Sequence, residues 1–408
     1  MKNHFKYSVS GIAAVLLCVS ASAQAPKVRT LTEQELVDMM LGASIQASRS
    51  SNTAPTVARI KQALVDGKTF KMIALEDVPD NWTTISESGV GGGGAWQYVT
   101  ERTRQQKLPT IRNQTGEGTV LAAKALSKYI GKQFNAVVRT EADGATVSGL
   151  ILAADLGVPI VDGCLSGRAR PEVEQQIPWI VGVPASPAAY VTRWGDTVVI
   201  DRSADDYRVE DIARALAVGS GGGVSGVMNP MSGRDARRAV IPGSLSQAIL
   251  LGKTVREAGA QGKDPIPAIL SVVHGYKLFH GTVQKDETHG DRGFTWSNVV
   301  LEGIKEDAGH TYKISVKNEN IATWLDGVPD AMAPDFIQNL EPTGDAHAGP
   351  GLGAYRVGAE IIMIGWPSDP RFRSPKGIEV FGPRHFGFDF DYVPIEQLQK
   401  TRNNPRAE

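Results

Sequence analysis

The residue types best suited to chemistry are concentrated in one segment that follows an apolar run. Residues 156–161 are typical of a short buried strand, and Asp162, Cys164, Ser166 and Arg168 come directly after them. Pro171-Glu172 predicts the start of a helix. Open α/β sheets build ligand sites where such strands end. A thiolate is the reactive form of cysteine, and Arg168 with a helix N-terminus would lower the pKa of Cys164.

Within this segment we predict Cys164 and Asp162 as catalytic residues and Arg168 and Ser166 as substrate-binding residues. The alternative interpretation is structural: Arg168 would pair with Glu172 to brace the loop, and Cys164 would fill a gap as a small hydrophobe. The sequence leaves both interpretations open.

Glu141 follows a second predicted strand, over residues 135–140, and a helix predicted over residues 146–156 joins the two strands. Strand, helix and strand in about thirty residues are typical of a parallel βαβ unit. Because both strands would end at one edge of the sheet, we expect Glu141 near the cysteine segment and predict it as a third catalytic residue. The run Gly91–Gly94 could approach a ligand closely, so Gly92 and Gly93 are candidate substrate-binding residues; a flexible turn is the alternative.

The pattern of elements predicts an α/β fold, with a parallel or mixed sheet flanked by helices, followed by a smaller β-rich domain. The first helix is expected over residues 32–41, where Thr32 and Glu35 form a capping box. We place the domain boundary near residue 280, with the α/β domain over 26–280, the β-rich domain over 281–396 and a disordered tail over 397–408. The later segments predicted as strands include residues 378–381.

Residues 1–25 are typical of a secretory signal peptide, with Lys2 and Lys6, an apolar stretch and a small-x-small cleavage motif ending at Ala25. We therefore expect a periplasmic or secreted protein, with no segment able to span a membrane. Its net charge is −1, and removal of the two leader lysines makes it only slightly more negative. This balance argues against a nucleic-acid partner. The expected partner is a small-molecule substrate, and a homo-oligomer is left open.

Metal ligation has little support in the spacing of the histidines, because none pair at the spacing of helical ligands. A divalent metal such as zinc, held by residues distant in sequence, is left open. The histidines after the leader are His274, His280, His289, His310, His347 and His385.

Several short strings, in order from about residue 31 to 396, resemble the S-methyl thiohydantoin desulfurase domain family (DUF917), whose members often accompany hydantoinase-like proteins. Ser232, in one of these strings, is a further candidate substrate-binding residue. The strings are residues 159–162, 167–169, 171–172, 182–187, 230–233, 318–319, 334–335 and 382–384.

The resemblance implies a two-domain chain and hydrolysis of the C–S bond of an S-methylated thiohydantoin, giving a hydantoin and methanethiol. It implies Cys164 as nucleophile or metal ligand, Asp162 as acid/base and Arg168 as anion clamp. The sequence departs from the family at residues 42–50, at residues 142–146, at Cys164 and in its leader. Three hypotheses follow: an exported hydrolase of a hydantoin-like ring, a non-catalytic binding or scaffold protein, and a metal-dependent cyclic amide hydrolase.

Overall fold

The computed structural model of the chain describes residues 26–48, 53–111, 116–342, 351–352 and 355–403. The predicted leader, residues 1–25, lies outside the described residues. The α-helices are α1 (Glu33–Ile45), α2 (Thr53–Val65), α3 (Glu101–Gln105), α4 (Glu117–Ile130), α5 (Thr146–Leu156), α6 (Ile177–Ile180), α7 (Asp206–Gly219), α8 (Gly233–Ala239), α9 (Ser244–Ala260), α10 (Ile266–Val273), α11 (Pro375–Phe381) and α12 (Ile395–Asn403).

The strands fall into two sheets. The first contains β1 (Val28–Thr30), β2 (Lys71–Ala74), β3 (Thr83–Gly91), β4 (Ala136–Arg139), β5 (Ile160–Cys164), β6 (Ala188–Val191), β7 (Thr197–Ile200), β8 (Gly223–Ser232) and β9 (Ile241–Pro242). The second contains β10 (Tyr276–Asp286), β11 (His289–Asp291), β12 (Phe294–Gly303), β13 (Thr311–Lys317), β14 (Glu319–Leu325), β15 (Val328–Met332), β16 (Phe336–Glu341), β17 (Gly351–Leu352) and β18 (Glu360–Trp366).

The first sheet is mixed, with strand order β1-β2-β5-β4-β3-β8-β6-β7. Its centre, β2-β5-β4-β3, is parallel, and the strands on either side run antiparallel. Helix α5 joins β4 to the neighbouring parallel strand β5, so the predicted βαβ unit is present. The ends of β3 and β4 therefore share one edge of the sheet, and this edge positions the site described below.

Local signals explain why these helices begin and end where they do. Thr32 caps α1 through a complete capping box with Glu35. Gly131 and Gly157 end α4 and α5 in the left-handed conformation that glycine adopts without strain. Helices α1 and α9 pack so closely that a Cβ at Gly42 would lie 1.8 Å from the Ala248 carbonyl oxygen. Their apolar faces join the buried core beneath the first sheet.

The second sheet pairs entirely antiparallel in the order β15-β14-β13-β12-β10-β18-β16-β17. Alternate residues of its strands face a separate apolar core that includes Phe279, Tyr312 and Met363. The predicted fold class is confirmed: a mixed sheet flanked by helices is followed by a β-rich region. The domain boundary near residue 280 stays a prediction.

Three local predictions are wrong. Residues 378–381 are not a strand but the end of α11, which Ser374 caps by accepting a hydrogen bond from the Gly377 N–H. No helix begins at Pro171-Glu172; the loop after β5 continues to α6. Residues 397–403, predicted as a disordered tail, lie in α12, where Gln399 donates a hydrogen bond to Asp330. In the described part of the chain, no helix has both the length and the apolar character to cross a membrane.

Candidate active site

A small polar cleft lies at the edge of the first sheet where β3 and β4 end. Its volume is about 140 Å³, which is below the ~300–1,000 Å³ typical of drug-sized ligands, so it would take only a small molecule. The second sheet contributes one wall through the β13–β14 turn. The lining residues are Ser88, Gly89, Val90, Gly91, Glu141, Arg170, Pro171, Glu172, Val173, Glu210, Arg214, Asn318 and Glu319.

Glu141 and Arg170 face each other in the cleft, with Glu141 Oε1 3.7 Å from Arg170 Nε. Burial, and then the nearby Asp143 carboxylate, raise the pKa of Glu141 to about 8 against the opposing charges of Arg170 and Arg139. The Arg170 Nη1 donates to the carbonyl oxygens of Glu172 and Val173, whereas its Nε has no hydrogen-bond partner among the described residues. The pair therefore offers a neutral carboxyl group and a buried cationic donor side by side.

Glu172 lies at the other side of the cleft and has two basic partners. Its Oε1 accepts from Lys317 Nζ at 2.5 Å, and its Oε2 lies 2.7 Å from His385 Nε2. Burial opposes ionisation of this carboxyl, but the contacts with His385 and Lys317 outweigh it and lower the pKa to about 2. Glu172 is therefore ionised at neutral pH. Lys317 precedes the β13–β14 turn, and His385 lies in a short 3₁₀ turn after α11.

Glu210 and Arg214, on α7, close the third side and hold the loop in place. Arg214 Nε donates to Glu210 at 2.7 Å, and its other nitrogens donate to the carbonyl oxygens of Gly91, Gly293 and Pro171. Glu210 accepts the N–H of Val173 at 3.1 Å. Because these bonds use the donors of Arg214, we interpret it as a brace between the two sheets.

Cys164 lies outside this cleft, at the end of β5 between β4 and β9. Its side chain is 0% exposed, and its Sγ accepts a 3.1 Å hydrogen bond from the Gly167 N–H. The expectation that Arg168 and a helix N-terminus lower its pKa is wrong: burial raises the pKa of the thiol, and no helix follows at residue 171. The loop turns the sulfur inward, where it accepts a hydrogen bond from the loop's own backbone and does not line the cleft.

Arg168 and Ser166 also face the interior. Arg168, which is 1% exposed, donates to the carbonyl oxygens of Asp335 at 2.6 Å and of Pro334 and Asn320 at 3.2 Å. Its guanidinium carbon lies 5.5 Å from the centroid of the Phe336 ring and 5.1 Å from that of the Phe381 ring. The Ser166 Oγ lies 2.9 Å from the Thr140 carbonyl oxygen. Here Arg168 joins the first sheet's loop to the second sheet, and its donors are directed at protein carbonyl oxygens and at the Ser48 hydroxyl instead of a ligand.

The other predicted site residues do not line the cleft. Asp162 Oδ1 accepts the N–H of Ser246, at the first turn of α9, at 2.9 Å. Ser232 caps α8 and pairs with Thr83 at the opposite end of β3 from the cleft. Gly92 and Gly93 pack on the second sheet, since a Cβ at Gly92 would lie 2.1 Å from the Gly293 carbonyl oxygen. Of the predicted set, the structure places only Glu141 in the cleft; the catalytic and binding roles stay predictions.

Sequence reasoning did not single out most of the charged residues of the cleft. Glu172 was recognised only as part of the cysteine segment and of a string resembling the family, and Asn318-Glu319 only as another such string. Arg170 carried a usable signal, because it lies in the same polar loop as Arg168. Lys317 and His385 are 145 and 213 residues from Glu172 in sequence, so no local spacing could have linked them.

Comparison with known proteins agrees with this architecture. The chain resembles an X-ray structure of a protein from Chromobacterium violaceum, with a TM-score of 0.71 and 20% sequence identity over 90% of this chain and all of the other. At that identity the likeness shows the fold. Comparison with curated proteins gives no match. The S-Me-THD-like N-terminal domain model matches residues 34–202, and the S-Me-THD-like C-terminal domain model matches residues 204–395. The chain therefore belongs to the S-Me-THD-like family, as its sequence resemblance indicates.

Proposed function

We propose that this protein is an exported hydrolase of a small hydantoin-like ring, and that it cleaves the C–S bond of an S-methyl thiohydantoin. The observation that carries the proposal is the pairing of Glu141, with a pKa of about 8, and Arg170 in a cleft of about 140 Å³. Paired groups of this kind at the end of a parallel strand are characteristic of acid–base sites. Family membership supports the substrate class, and the leader-like residues 1–25 support export.

The reaction replaces a sulfur substituent by oxygen. The water oxygen bonds to the ring carbon that carries sulfur, and one water proton goes to the adjacent ring nitrogen. The carbon–sulfur bond then breaks, and sulfur takes the proton of Glu141 and leaves as methanethiol. The second water proton restores the Glu141 carboxyl group. The products are a hydantoin and methanethiol.

Arg170 suits a complementary role in this chemistry. Its Nε is buried and without a hydrogen-bond partner among the described residues, so it can donate to a ring oxygen or nitrogen on which negative charge develops. Glu172 is ionised and held by Lys317 and His385, so it would orient the ring N–H as an acceptor and does not supply the proton. Neither role requires Cys164, in contrast to the expectation from sequence.

The test measures methanethiol release from S-methyl thiohydantoins, with thiohydantoins and hydantoins as comparison compounds. We expect Glu141→Gln to lower kcat/KM at least ~100-fold, the lower range for loss of a general acid. Wild-type kcat/KM should fall above about pH 8, because the proton-donating form of Glu141 is lost there. The matched control is Glu287→Gln, which changes an exposed glutamate paired with Lys285. Wild-type-like turnover by Glu141→Gln would contradict the proposal.

A non-catalytic binding protein is the second candidate, and the buried positions of Cys164 and Arg168 favour it. This protein would keep the cleft and the fold without turnover. Thermal unfolding separates the two functions: a binding protein would gain thermal stability from the same compounds and release no methanethiol.

A further inference from the structure

At the lip of the cleft, two carboxylates and one imidazole converge. Glu172, Glu174 and His385 each place one potential ligand atom within 4.8 Å of the other two. The His385 Nε2 is the shared centre, 2.7 Å from a Glu172 oxygen and 3.9 Å from a Glu174 oxygen. The three residues come from the loop after β5 and from the turn after α11, so the cluster joins the two parts of the fold.

A second observation concerns Glu174 alone. Glu174 is only 2% exposed, yet its Oε2 has no hydrogen-bond partner among the described residues. A buried carboxylate oxygen without a donor is costly, and native proteins normally supply a partner, a water or an ion. Its other oxygen faces His385, so the side chain is directed into the cluster. Among the described residues, Glu174 forms no ion pair with a lysine or an arginine, and its ion-pair contact is that with His385 at 3.9 Å.

We propose that Glu172, Glu174 and His385 bind a divalent transition-metal ion of the zinc type. The site does not depend on the proposed hydrolysis. Imidazole with carboxylates suits zinc and its neighbours, whereas calcium and magnesium prefer oxygen ligands throughout. Three protein ligands leave a fourth position for water or a ligand atom.

The distances fit this coordination after a small adjustment. Zinc bonds of ~2.0–2.1 Å in a tetrahedron place ligand atoms about 3.3 Å apart. The 2.7 Å contact of His385 with Glu172 would open, and the 3.9 Å contact with Glu174 would close, by about 0.6 Å each. Gln175 already fixes the orientation of Glu172: it accepts the Glu172 N–H and donates to Glu172 Oε2, the oxygen that faces His385, at 2.8 Å.

Lys317 is the internal competitor for the site. Its ammonium lies 2.5 Å from the Glu172 oxygen that does not face His385, and it stacks over the rings of Phe294, Trp296 and Phe386. A positive charge so close to the cluster would weaken binding of a cation, although it pairs with Glu172 Oε1 and not with Oε2, the oxygen that faces His385. Removing this charge should therefore strengthen metal binding.

To test this, bound metal ions are removed from the full-length chain with a chelator, and the chain is then titrated with zinc chloride by calorimetry, without any substrate. We expect one ion per chain, at least tenfold weaker binding in Glu174→Gln and His385→Gln, and severalfold tighter binding in Lys317→Met. His310→Ala is the matched control, because it removes an exposed histidine that contacts Asp326 at 2.6 Å and should leave binding unchanged.

Substitution by cobalt provides a second readout, since visible absorption bands of four- or five-coordinate cobalt should be present in the wild type and lost in Glu174→Gln. The proposal is overturned if Glu174→Gln and His385→Gln bind zinc as tightly as the wild type, or if His310→Ala abolishes binding. A metal-free result with Glu141-dependent turnover would reject the metal site and keep the hydrolase. Zinc binding without turnover would do the reverse.

Discussion

Arg168 and Arg170 are two residues apart in one loop and are almost equally hidden, at 1% and 8% exposure, yet they belong to different parts of the molecule. Arg168 donates to carbonyl oxygens of the second sheet, whereas Arg170 faces Glu141 across the cleft. The loop thus has an inner segment, residues 162–168, and an outer segment, residues 170–174. Both segments contain charged residues, two in the inner segment and three in the outer, so the presence of charged residue types alone cannot separate a structural segment from a site.

The largest effect is expected on stability, from a substitution in the inner segment. Arg168→Ala would leave the carbonyl oxygens of Asp335, Pro334 and Asn320 buried without this donor, so we expect a loss of about 3–5 kcal/mol in the free energy of unfolding. Denaturant unfolding measures it. The control Arg208→Ala removes an exposed arginine that pairs with Asp211 and should cost less than about 1 kcal/mol. An unfolding free energy equal to the wild type would show that the two segments do not differ in this way.

A substitution in the outer segment should change the kinetics of the enzyme more than its stability. Arg170→Gln removes a buried donor from the cleft, and we expect kcat/KM to fall about 10–100-fold. Because the charge of Arg170 lowers the pKa of Glu141, its loss should also move the alkaline limb of the pH profile above its wild-type position near pH 8. A pH profile of methanethiol release measures both effects. An unmoved limb would indicate that Glu141 and Arg170 do not interact in the working enzyme.

The smallest effect is expected at Cys164. Since its sulfur is fully buried and burial raises its pKa, the native thiol should react with a thiol reagent at least 100-fold more slowly than the unfolded chain. Cys164→Ala should change kcat/KM by less than about twofold, because the sulfur does not line the cleft. Labelling kinetics and turnover of this variant provide the check. Rapid labelling of the native protein would return Cys164 to the list of catalytic candidates.

The predictable parts of the fold are those with local signals. The capping box at Thr32, the glycines that end α4 and α5, and the βαβ unit around α5 are determined by residues within a few turns of each other. The same reasoning predicted Glu141 at the edge of the sheet where the cleft lies. The prediction of a strand over residues 378–381 was wrong because a run of four residues rich in apolar types does not distinguish a strand from the end of a short helix.

The unpredictable parts depend on which way a loop side chain turns. Cys164 faces inward because β9 pairs with the end of β5, and this pairing joins residues almost eighty positions apart. The partners of Glu172 are more distant still, and only packing of the second sheet brings Lys317 and His385 to it. Polar residues after a strand therefore indicate the region of a site but not its members.

The cleft draws on both matched family regions, which meet between residues 202 and 204. Arg170 and Glu172 come from the first, and Arg214, Lys317 and His385 come from the second. During synthesis on the ribosome, a nascent chain that has emerged only to residue 202 holds the acidic loop without its basic partners. The cleft lining extends to Glu319, and His385, a partner of Glu172, emerges later still, so neither half on its own can reproduce the complete site.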